Sequence, residues 1–388
     1  MPFNPYLHGL RGLAALGVLL FHWSTHFPAA SQVLASMRWG PEPWMNLSLP
    51  FANGWQGVPL FFVLSAFLLA SQWADKPVTA ATVRPYLKRR FLRIYPAVWL
   101  QLGLLLLIPL PGLIAPWDAA TLLLNALLWI HLPPAMAVPL NGVWWTLPVE
   151  LGFYVLLPLL IVLRERWSAL AAYALCLAVA IGWRWLCIVW FADEGLAHRL
   201  HVVDALPGSL ATFAAGFWLA RRAPVDSTAR RWFGLAALGL AYLALQYAIW
   251  TWNAVYLRGH WILAVWVPAL GLVLAGVVHL LRRPLAGLGV LASRPAQWLG
   301  EMSFGIYLWH YPVQQAFVLL WPARWASPQA SVWALVATTA LTFALAWFSY
   351  HAVEKRFFRP SRPHRHDAFA RAGGAAAPAP PEGSRGRG

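Results

Sequence analysis

Residues 8–27 read HGLRGLAALGVLLFHWSTHF, an apolar run of the length that crosses a bilayer as one helix. Nine further runs of this kind follow, at 57–74, 93–111, 144–163, 168–190, 205–220, 232–251, 260–281, 301–321 and 329–351. Their apolar residues are continuous and do not alternate with polar ones, which favours helices over the strands of a barrel. The sequence therefore predicts an all-α protein with ten transmembrane helices.

The composition supports a polytopic membrane protein. Of 388 residues, 60% are hydrophobic and only 11% are charged, whereas a soluble domain carries about 25% charged residues. Such a chain lacks the charge needed to cover a water-facing surface. Soluble globular enzymes, disordered chains and collagen-like fibres are therefore excluded.

The distribution of cations predicts the topology. The chain has 29 Lys and Arg residues against 13 acidic ones, a net charge of +16. Short cytoplasmic loops are enriched in Lys and Arg, and 23 of the 29 cations lie on the cytoplasmic side when ten spans are drawn with both termini inside. This distribution requires that a shorter apolar run, 117–132, does not cross the membrane. We therefore predict a re-entrant or interfacial segment at 117–132.

Two regions are predicted along the chain. Residues 1–358 form the integral-membrane domain. Residues 359–388 are rich in Arg, Ala, Pro and Gly, a composition typical of a disordered segment, and they are expected to form a cytoplasmic tail. The tail is too short for a second folded domain, so a stand-alone membrane domain is expected.

Ionisable residues inside a span are costly, and they are candidates for function. Glu150 is the one acidic residue well within a predicted span. Arg11 and His22 are three helical turns apart, so they share one face of the first span. The helix rise places Glu150 and His22 about 9 and 6 Å below the outer edge. A neutral histidine beside a carboxylate is a general-base arrangement, so we expect Glu150 to orient His22; a packing role for each is the alternative.

Two further groups are candidates for ligand contacts. Arg90 and Arg93 lie three residues apart at the cytoplasmic mouth of the third span, on one helical face. Two guanidinium groups in this arrangement suit a phosphate-bearing ligand, although an ordinary inside-positive anchor would look the same. His310 lies near the middle of the ninth span with Tyr307 one turn before it, and packing is again the alternative.

Six segments carry a resemblance to a known family: LRGLAALGVLLFHW at 10–23, FFVLSAFLLA at 61–70, RRFLRIYP at 89–96, WWTLPVELGFY at 144–154, LGEMSFGIYLWHYP at 299–312 and YHAVEKRFF at 350–358. Together and in this order they resemble the membrane acyltransferase 3 family, the O-antigen and exopolysaccharide O-acyltransferases of bacteria. The resemblance covers residues 8 to 358 and implies ten helices with both ends inside. Ala66 stands where the family commonly has Gly, and Thr146 where it commonly has Ser.

The resemblance also implies roles for individual residues. The family's first-span Arg and His match Arg11 and His22. Its cytoplasmic RxxR element matches Arg90 and Arg93. Its W-[ST]-L-x-x-E element matches Trp145, Thr146 and Glu150.

These matches imply an enzyme of the bacterial inner membrane that moves an acyl group, acetyl being favoured, from cytoplasmic acyl-CoA to a hydroxyl of a cell-surface or exported glycan. The arginines would hold the CoA phosphates, and His22 would act as general base with Glu150 orienting it. A transient acyl-His22 is an open alternative. The acceptor path is expected to be lined by Tyr307, His310 and Trp145.

Acyl-CoA, a glycan or lipid-linked saccharide and membrane lipids are the expected partners. No metal and no nucleic acid are expected. The alternative function is a membrane transporter or flippase of a glycan or small molecule, because buried His, Glu and Arg side chains also serve in proton relays.

Overall fold

The computed structural model describes residues 3–27, 29–38, 40, 49–73, 76–191, 196 and 199–357. Within these residues the chain is mainly helical, and an isolated β-bridge joins Ile130 to Ala137. Ten of the described helices have 14 residues or more. They are α1 Pro5–His26, α2 Gly57–Gln72, α3 Ala80–Leu106, α4 Thr146–Arg166, α5 Ala169–Trp190, α6 Leu206–Leu219, α7 Thr228–Thr251, α8 Ile262–Leu280, α9 Arg294–Leu320 and α10 Pro328–Ser349.

Short helical segments connect or extend the long helices. The α-helical ones are Ala30–Ser36, Leu49–Ala52, Ala119–Ala126, Leu200–Val203, Asn253–Tyr256 and Lys355–Phe357. Among the described residues, 3₁₀ turns occur at Gly54–Gln56, Gly289–Ala292 and Pro322–Trp325, and a π-helical turn at Tyr350–Glu354 follows α10 directly. The predicted tail at 359–388 lies outside the described residues.

Each long helix lies on one of the ten predicted apolar runs. Six helical segments in the described part of the chain are long and apolar enough to cross a membrane. The helix α6 is apolar but has only 14 residues, and α3 begins 13 residues before the predicted span because its basic segment 84–93 is also helical. The number of crossings and the side of each loop stay predictions from the charge pattern.

The segment 117–132 contains only the short helix Ala119–Ala126. Eight residues rise about 12 Å, which is less than half of the ~30 Å hydrocarbon core. Asn125 then fixes the returning chain, because its side-chain Nδ2 donates to Val138 O (2.9 Å) and its Oδ1 accepts from Leu140 N (2.8 Å). This segment is therefore too short to cross as a helix, as its length in the sequence predicts.

The first and ninth long helices, α1 and α9, pack closely side by side and run in the same direction. A Cβ added at Gly12 would lie 2.6 Å from the backbone nitrogen of Gly300, so only glycine fits at this crossing. Further along both helices, the His22 and His310 rings meet. Both contacts join residues 288 positions apart, so α1 and α9 keep one register over about ten residues.

Helices α2, α4 and α6 pack through a stack of three phenylalanine rings. Phe213 stacks on Phe62 at 4.4 Å and on Phe153 at 4.1 Å between ring centroids, and all three rings are buried. Stacked aromatic pairs contribute roughly 0.5–1.5 kcal/mol each beyond the burial of their area. The stack holds the helices that form one side of the site described below.

A buried arginine ties α5 to α6 and α8. Arg184 is fully buried in α5; its Nε donates to Gly208 O (2.9 Å) and its Nη1 to Leu263 O (3.3 Å). Its Nη2 forms an ion pair with Asp204, which lies just before α6. A buried charge is tolerated only when it is paired and hydrogen-bonded, so this network fixes the position of the Asp204 carboxylate.

Candidate active site

Two adjoining chambers lie between the helices. The Arg11 chamber encloses about 540 Å³ of empty space, and its walls include Arg11, Arg93, Ser65, Thr146, Glu150 and Tyr154. The His22 chamber encloses about 630 Å³, and its walls include His22, Trp55, Trp145, Asp204, Ser209 and Thr212.

The two chambers share part of their walls, because Val58, Phe62 and Tyr307 line both. The Tyr307 hydroxyl lies 2.8 Å from Thr146 Oγ1 and donates to Val143 O at 2.9 Å. The segment leading into α4 therefore holds Tyr307 at the junction of the chambers.

The Arg11 chamber carries a cluster of opposite charges with cations in excess. Its two arginines, Arg11 and Arg93, face one carboxylate, and the charge of Arg11 interacts with both Arg93 and Glu150. Glu150 Oε1 accepts hydrogen bonds from Ser65 Oγ (2.9 Å) and from the Tyr154 hydroxyl. The chamber wall therefore presents two guanidinium groups beside one carboxylate.

Two residues beside the Arg11 chamber extend this cluster. Arg90 interacts electrostatically with Arg93 and Glu150, and its buried Nε has no hydrogen-bond partner among the described residues. Glu354 is also buried; its Oε1 accepts from Ser349 Oγ (2.9 Å), and its charge interacts with Arg93. The sequence places Glu354 only at a span end, and the π-helical turn Tyr350–Glu354 directs it inward.

His22 and His310 form a hydrogen-bonded pair of imidazole rings. His22 Nδ1 lies 3.0 Å from His310 Nε2 and 3.0 Å from Val18 O, and His310 Nδ1 lies 3.0 Å from Ile306 O. A neutral imidazole has one N–H. If His310 Nδ1–H donates to Ile306 O, then His310 Nε2 accepts from His22 Nδ1–H. This assignment leaves His22 Nε2 as a free lone pair on a residue that lines the His22 chamber.

The structure gives the two residues different hydrogen-bond partners, Ser65 and Tyr154 for Glu150 and His310 for His22, so the expected orientation of His22 by Glu150 gains no support from this geometry. The physical reason lies in the segment just before α4. Asn141 and Trp144 are buried there, and Asn141 Nδ2 donates to Leu308 O in the middle of α9 (3.1 Å). The start of α4 is therefore anchored against α9 inside the protein, and the next turn of α4 carries Glu150 on the wall of the Arg11 chamber.

The other predicted residues lie around the two chambers. Trp145 lines the His22 chamber and Tyr307 lines both. His310 is fully buried and lies behind His22, where it contacts the general-base candidate and not the chamber space.

Several polar wall residues were not predicted. Tyr154 lies four residues after Glu150, one helical turn away, so this spacing could have indicated it. The sequence gives no comparable signal for Ser65, Asp204 or Thr212. Among the described residues, no group of three or more His, Cys, Asp or Glu side chains could hold a metal ion.

Comparison with known proteins identifies the class of protein. Residues 4–351 match the sequence profile of the acyltransferase 3 family, which is described as an acyltransferase domain. The chain therefore belongs to the membrane acyltransferase 3 family. Together with the six apolar helical segments, this makes it a multi-pass membrane protein.

Several curated proteins are similar over much of their length. Nodulation protein 10 of Rhizobium leguminosarum bv. viciae is 27% identical over 84% of this chain and 90% of that protein. Exopolysaccharide production protein ExoZ of Rhizobium meliloti is 27% identical over 67% of this chain and 76% of that protein. Peptidoglycan O-acetyltransferase OatA of Listeria monocytogenes is 23% identical over 91% of this chain but 55% of that protein, so this chain spans about half of it. No solved structure gives a significant match.

Proposed function

We propose that this protein is an O-acyltransferase of the bacterial inner membrane that transfers an acyl group, acetyl in the first instance, from acyl-CoA to a hydroxyl of a cell-surface or exported glycan. The observation that carries the proposal is the hydrogen-bonded His22–His310 pair, with His22 on the wall of a chamber that adjoins an arginine-lined one. Relatives named as a peptidoglycan O-acetyltransferase and an exopolysaccharide production protein support an acyl transfer to glycans.

The Arg11 chamber is the proposed donor site. Arg11 and Arg93 line it, and Arg90 beside it has a buried Nε without a partner among the described residues. Guanidinium groups form strong charge-assisted hydrogen bonds with phosphate oxygens, so these three residues would bind the phosphates of CoA. The acyl-bearing arm of the donor would then pass Tyr307 into the His22 chamber.

His22 is the proposed general base of the transfer. Its Nε2 takes the proton of the acceptor hydroxyl while the hydroxyl oxygen attacks the thioester carbonyl carbon. The carbon–sulfur bond then breaks, and the CoA thiolate takes the proton back from His22. The products are the ester and free CoA. His310 keeps the His22 Nδ1–H directed away from the chamber and accepts from it throughout, as an orienting partner does in hydrolase triads.

Membrane vesicles of defined orientation test the donor and its side. Labelled acetyl-CoA added to sealed inverted vesicles should yield labelled glycan, whereas the same addition to sealed right-side-out vesicles should not. Vesicles from cells that lack the protein are the control. Label transfer that occurs only in right-side-out vesicles would contradict a cytoplasmic donor, and the absence of transfer in every preparation would contradict the function.

A further inference from the structure

We propose that the His22 chamber binds one sugar ring, with Asp204 and Thr212 as hydrogen-bonding residues and Trp55 and Trp145 as aromatic walls. The inference rests on the proposed acyl transfer to a glycan and adds the residues that hold and select one ring of the acceptor. It separates the hydroxyl that reacts at His22 from the neighbouring hydroxyls that hold the ring.

The Asp204 carboxylate is fixed and only partly used. Its Oδ1 is held by Arg184, while its Oδ2 has no hydrogen-bond partner among the described residues. The side chain retains 26% of its exposure, and it lines the chamber. A carboxylate accepts several hydrogen bonds, and those to an ionised group are about twice as strong as neutral ones. Asp204 is therefore a preorganised acceptor for the hydroxyls of a polyol.

Thr212 provides a second polar group that lacks a partner. It lies in α6, retains only 1% of its exposure and lines the same chamber. Its Oγ1 is buried and has no hydrogen-bond partner among the described residues. A buried hydroxyl without a partner is unfavourable. A rotation of the Thr212 side chain that presents Oγ1 to a ligand hydroxyl would remove that cost, so the site favours an acceptor with more than one hydroxyl.

The aromatic walls suit the apolar face of a sugar ring. Trp55 and Trp145 both line the chamber. Trp55 packs against Trp266 at 5.4 Å between ring centroids, and Trp266 is fixed by a hydrogen bond from its Nε1 to Leu245 O (2.7 Å). Rigid indole rings provide a large contact area for the C–H groups of a ring. A wholly apolar acceptor would fill this space but leave Asp204 and Thr212 without partners.

The position of the chamber agrees with this ligand. Because His22 lines the same chamber, a ring held by Asp204 and Thr212 presents another of its hydroxyls to His22 Nε2. The groups that bind the ring and the group that reacts are thus different residues.

Direct binding to the full-length protein in nanodiscs, without acyl-CoA, tests the inference. The probes are a panel of methyl glycosides of common hexoses and N-acetylhexosamines, with cyclohexanol as the ring that carries one hydroxyl. Ligand-observed NMR should show at least one glycoside binding more tightly than cyclohexanol. The variant T212V should weaken that binding about 3- to 10-fold, and D204N about 10-fold or more.

T342V is the matched control. Thr342 in α10 is also fully buried with an unpartnered hydroxyl among the described residues, but it lines neither chamber. We expect T342V to bind glycosides like the wild type. Because D204N also removes the counter-ion of Arg184, thermal unfolding monitors its fold, and T212V carries the test if D204N does not fold.

Two outcomes would overturn the inference. One is equal binding of cyclohexanol and of every glycoside to the wild type; the other is unchanged glycoside affinity in both T212V and D204N. The binding assay needs no acyl donor, so it tests the sugar site even if the proposed acyl transfer does not occur. Acetyl transfer to cyclohexanol as fast as to glycosides, retained in both variants, would uphold the transfer and overturn the sugar site.

Discussion

The two chambers differ in what lines them. The Arg11 chamber carries two guanidinium groups and a carboxylate that is already hydrogen-bonded to Ser65 and Tyr154. The His22 chamber carries indole rings, an imidazole, hydroxyl groups and the Asp204 carboxylate. The chemistry of the walls therefore distinguishes the chambers: one suits a polyanion, and the other suits a neutral ligand with many hydroxyls. Substitutions in each chamber should therefore affect different steps.

The largest effect is expected from H22A. Loss of the general base should lower acyl transfer about 10²- to 10⁴-fold while acyl-CoA binding stays unchanged. H351A is the control, because His351 is exposed in the π-helical turn and its Nδ1 makes a similar contact with Trp347 O (2.9 Å). Steady-state transfer and equilibrium acyl-CoA binding give the two readouts. Full transfer by folded H22A protein would contradict the mechanism.

The second-largest effect is expected on binding of the acyl donor alone. R93A should weaken acyl-CoA binding about 10- to 100-fold, because hydrogen bonds to charged groups contribute roughly 1.5–3 kcal/mol. The KM for the glycan should change little. R89A, an exposed arginine four residues earlier on α3, should bind acyl-CoA normally. Equal losses in R89A and R93A would assign Arg93 to the inside-positive charge and not to the donor site.

A smaller effect is expected from the residue behind the base. H310F keeps an aromatic ring but removes the acceptor of the His22 Nδ1–H, so kcat should fall roughly tenfold with unchanged acyl-CoA affinity. H310Q, whose side-chain oxygen can accept the same hydrogen bond, should recover part of the loss. If H310Q is no better than H310F, His310 acts by packing and not by orienting His22.

A substitution at the close crossing of α1 and α9 should lower the stability of the whole fold and so affect both chambers together. A Cβ added at Gly300 would lie 2.3 Å from His8 O, so G300A should destabilise the fold by about 1–3 kcal/mol. G239A in α7 is the control, because nothing lies within 4 Å of its added Cβ. Thermal unfolding in detergent measures both variants. A lower Tm for G239A than for G300A would contradict the close packing of α1 on α9.

The smallest effect should come from a pair of histidines in the segments that connect the long helices. His131 stacks on His201 at 3.8 Å between ring centroids. Burial and the neighbouring His201 lower the pKa of His131 from 6.5 to about 4. The folded state therefore favours the neutral ring, and the stability it contributes is complete above pH 6.5 and is lost as the pH falls through about 4.

A double variant isolates this titration. H131F/H201F keeps two stacked rings without ionisable groups, so its Tm should fall less than the wild-type Tm between pH 7 and pH 4.5. Because His201 lies three residues before Asp204, glycoside binding should weaken over the same range while acyl-CoA binding changes less. Parallel pH curves for the wild type and the double variant would contradict the role of this pair.

The helices were largely predictable because apolar runs of membrane length are continuous in the sequence. The largest difference between a predicted span and its helix is at the start of α3. The basic residues of 84–93 interrupt the apolar pattern there, but the helix continues through Pro85 and Pro96. Hydropathy indicates which residues can face lipid, whereas a helix continues for as long as its backbone hydrogen bonds are made. The apolar run and the helix therefore differ in length wherever a helix extends beyond the membrane.

The site was only partly predictable. Arg11, Arg93, His22 and Glu150 do line chambers, but the partner of His22 is His310 and not Glu150. Depth counted along one helix does not indicate which neighbouring helix a side chain faces, and here His22 faces α9 while Glu150 bonds to Ser65 and Tyr154. The glycines of α1 indicate a close neighbour, but they do not indicate which helix it is. Contacts between helices far apart in sequence depend on packing that no single segment encodes.

The shared register of α1 and α9 has a consequence for biosynthesis. The two imidazoles belong to the first and the ninth of the ten long helices, 288 residues apart. A ribosome must therefore complete and insert most of the chain before the pair can form. Chains that are truncated or misinserted before the ninth long helix carry His22 without the His310 ring. Such incomplete products in the membrane cannot form the reactive pair.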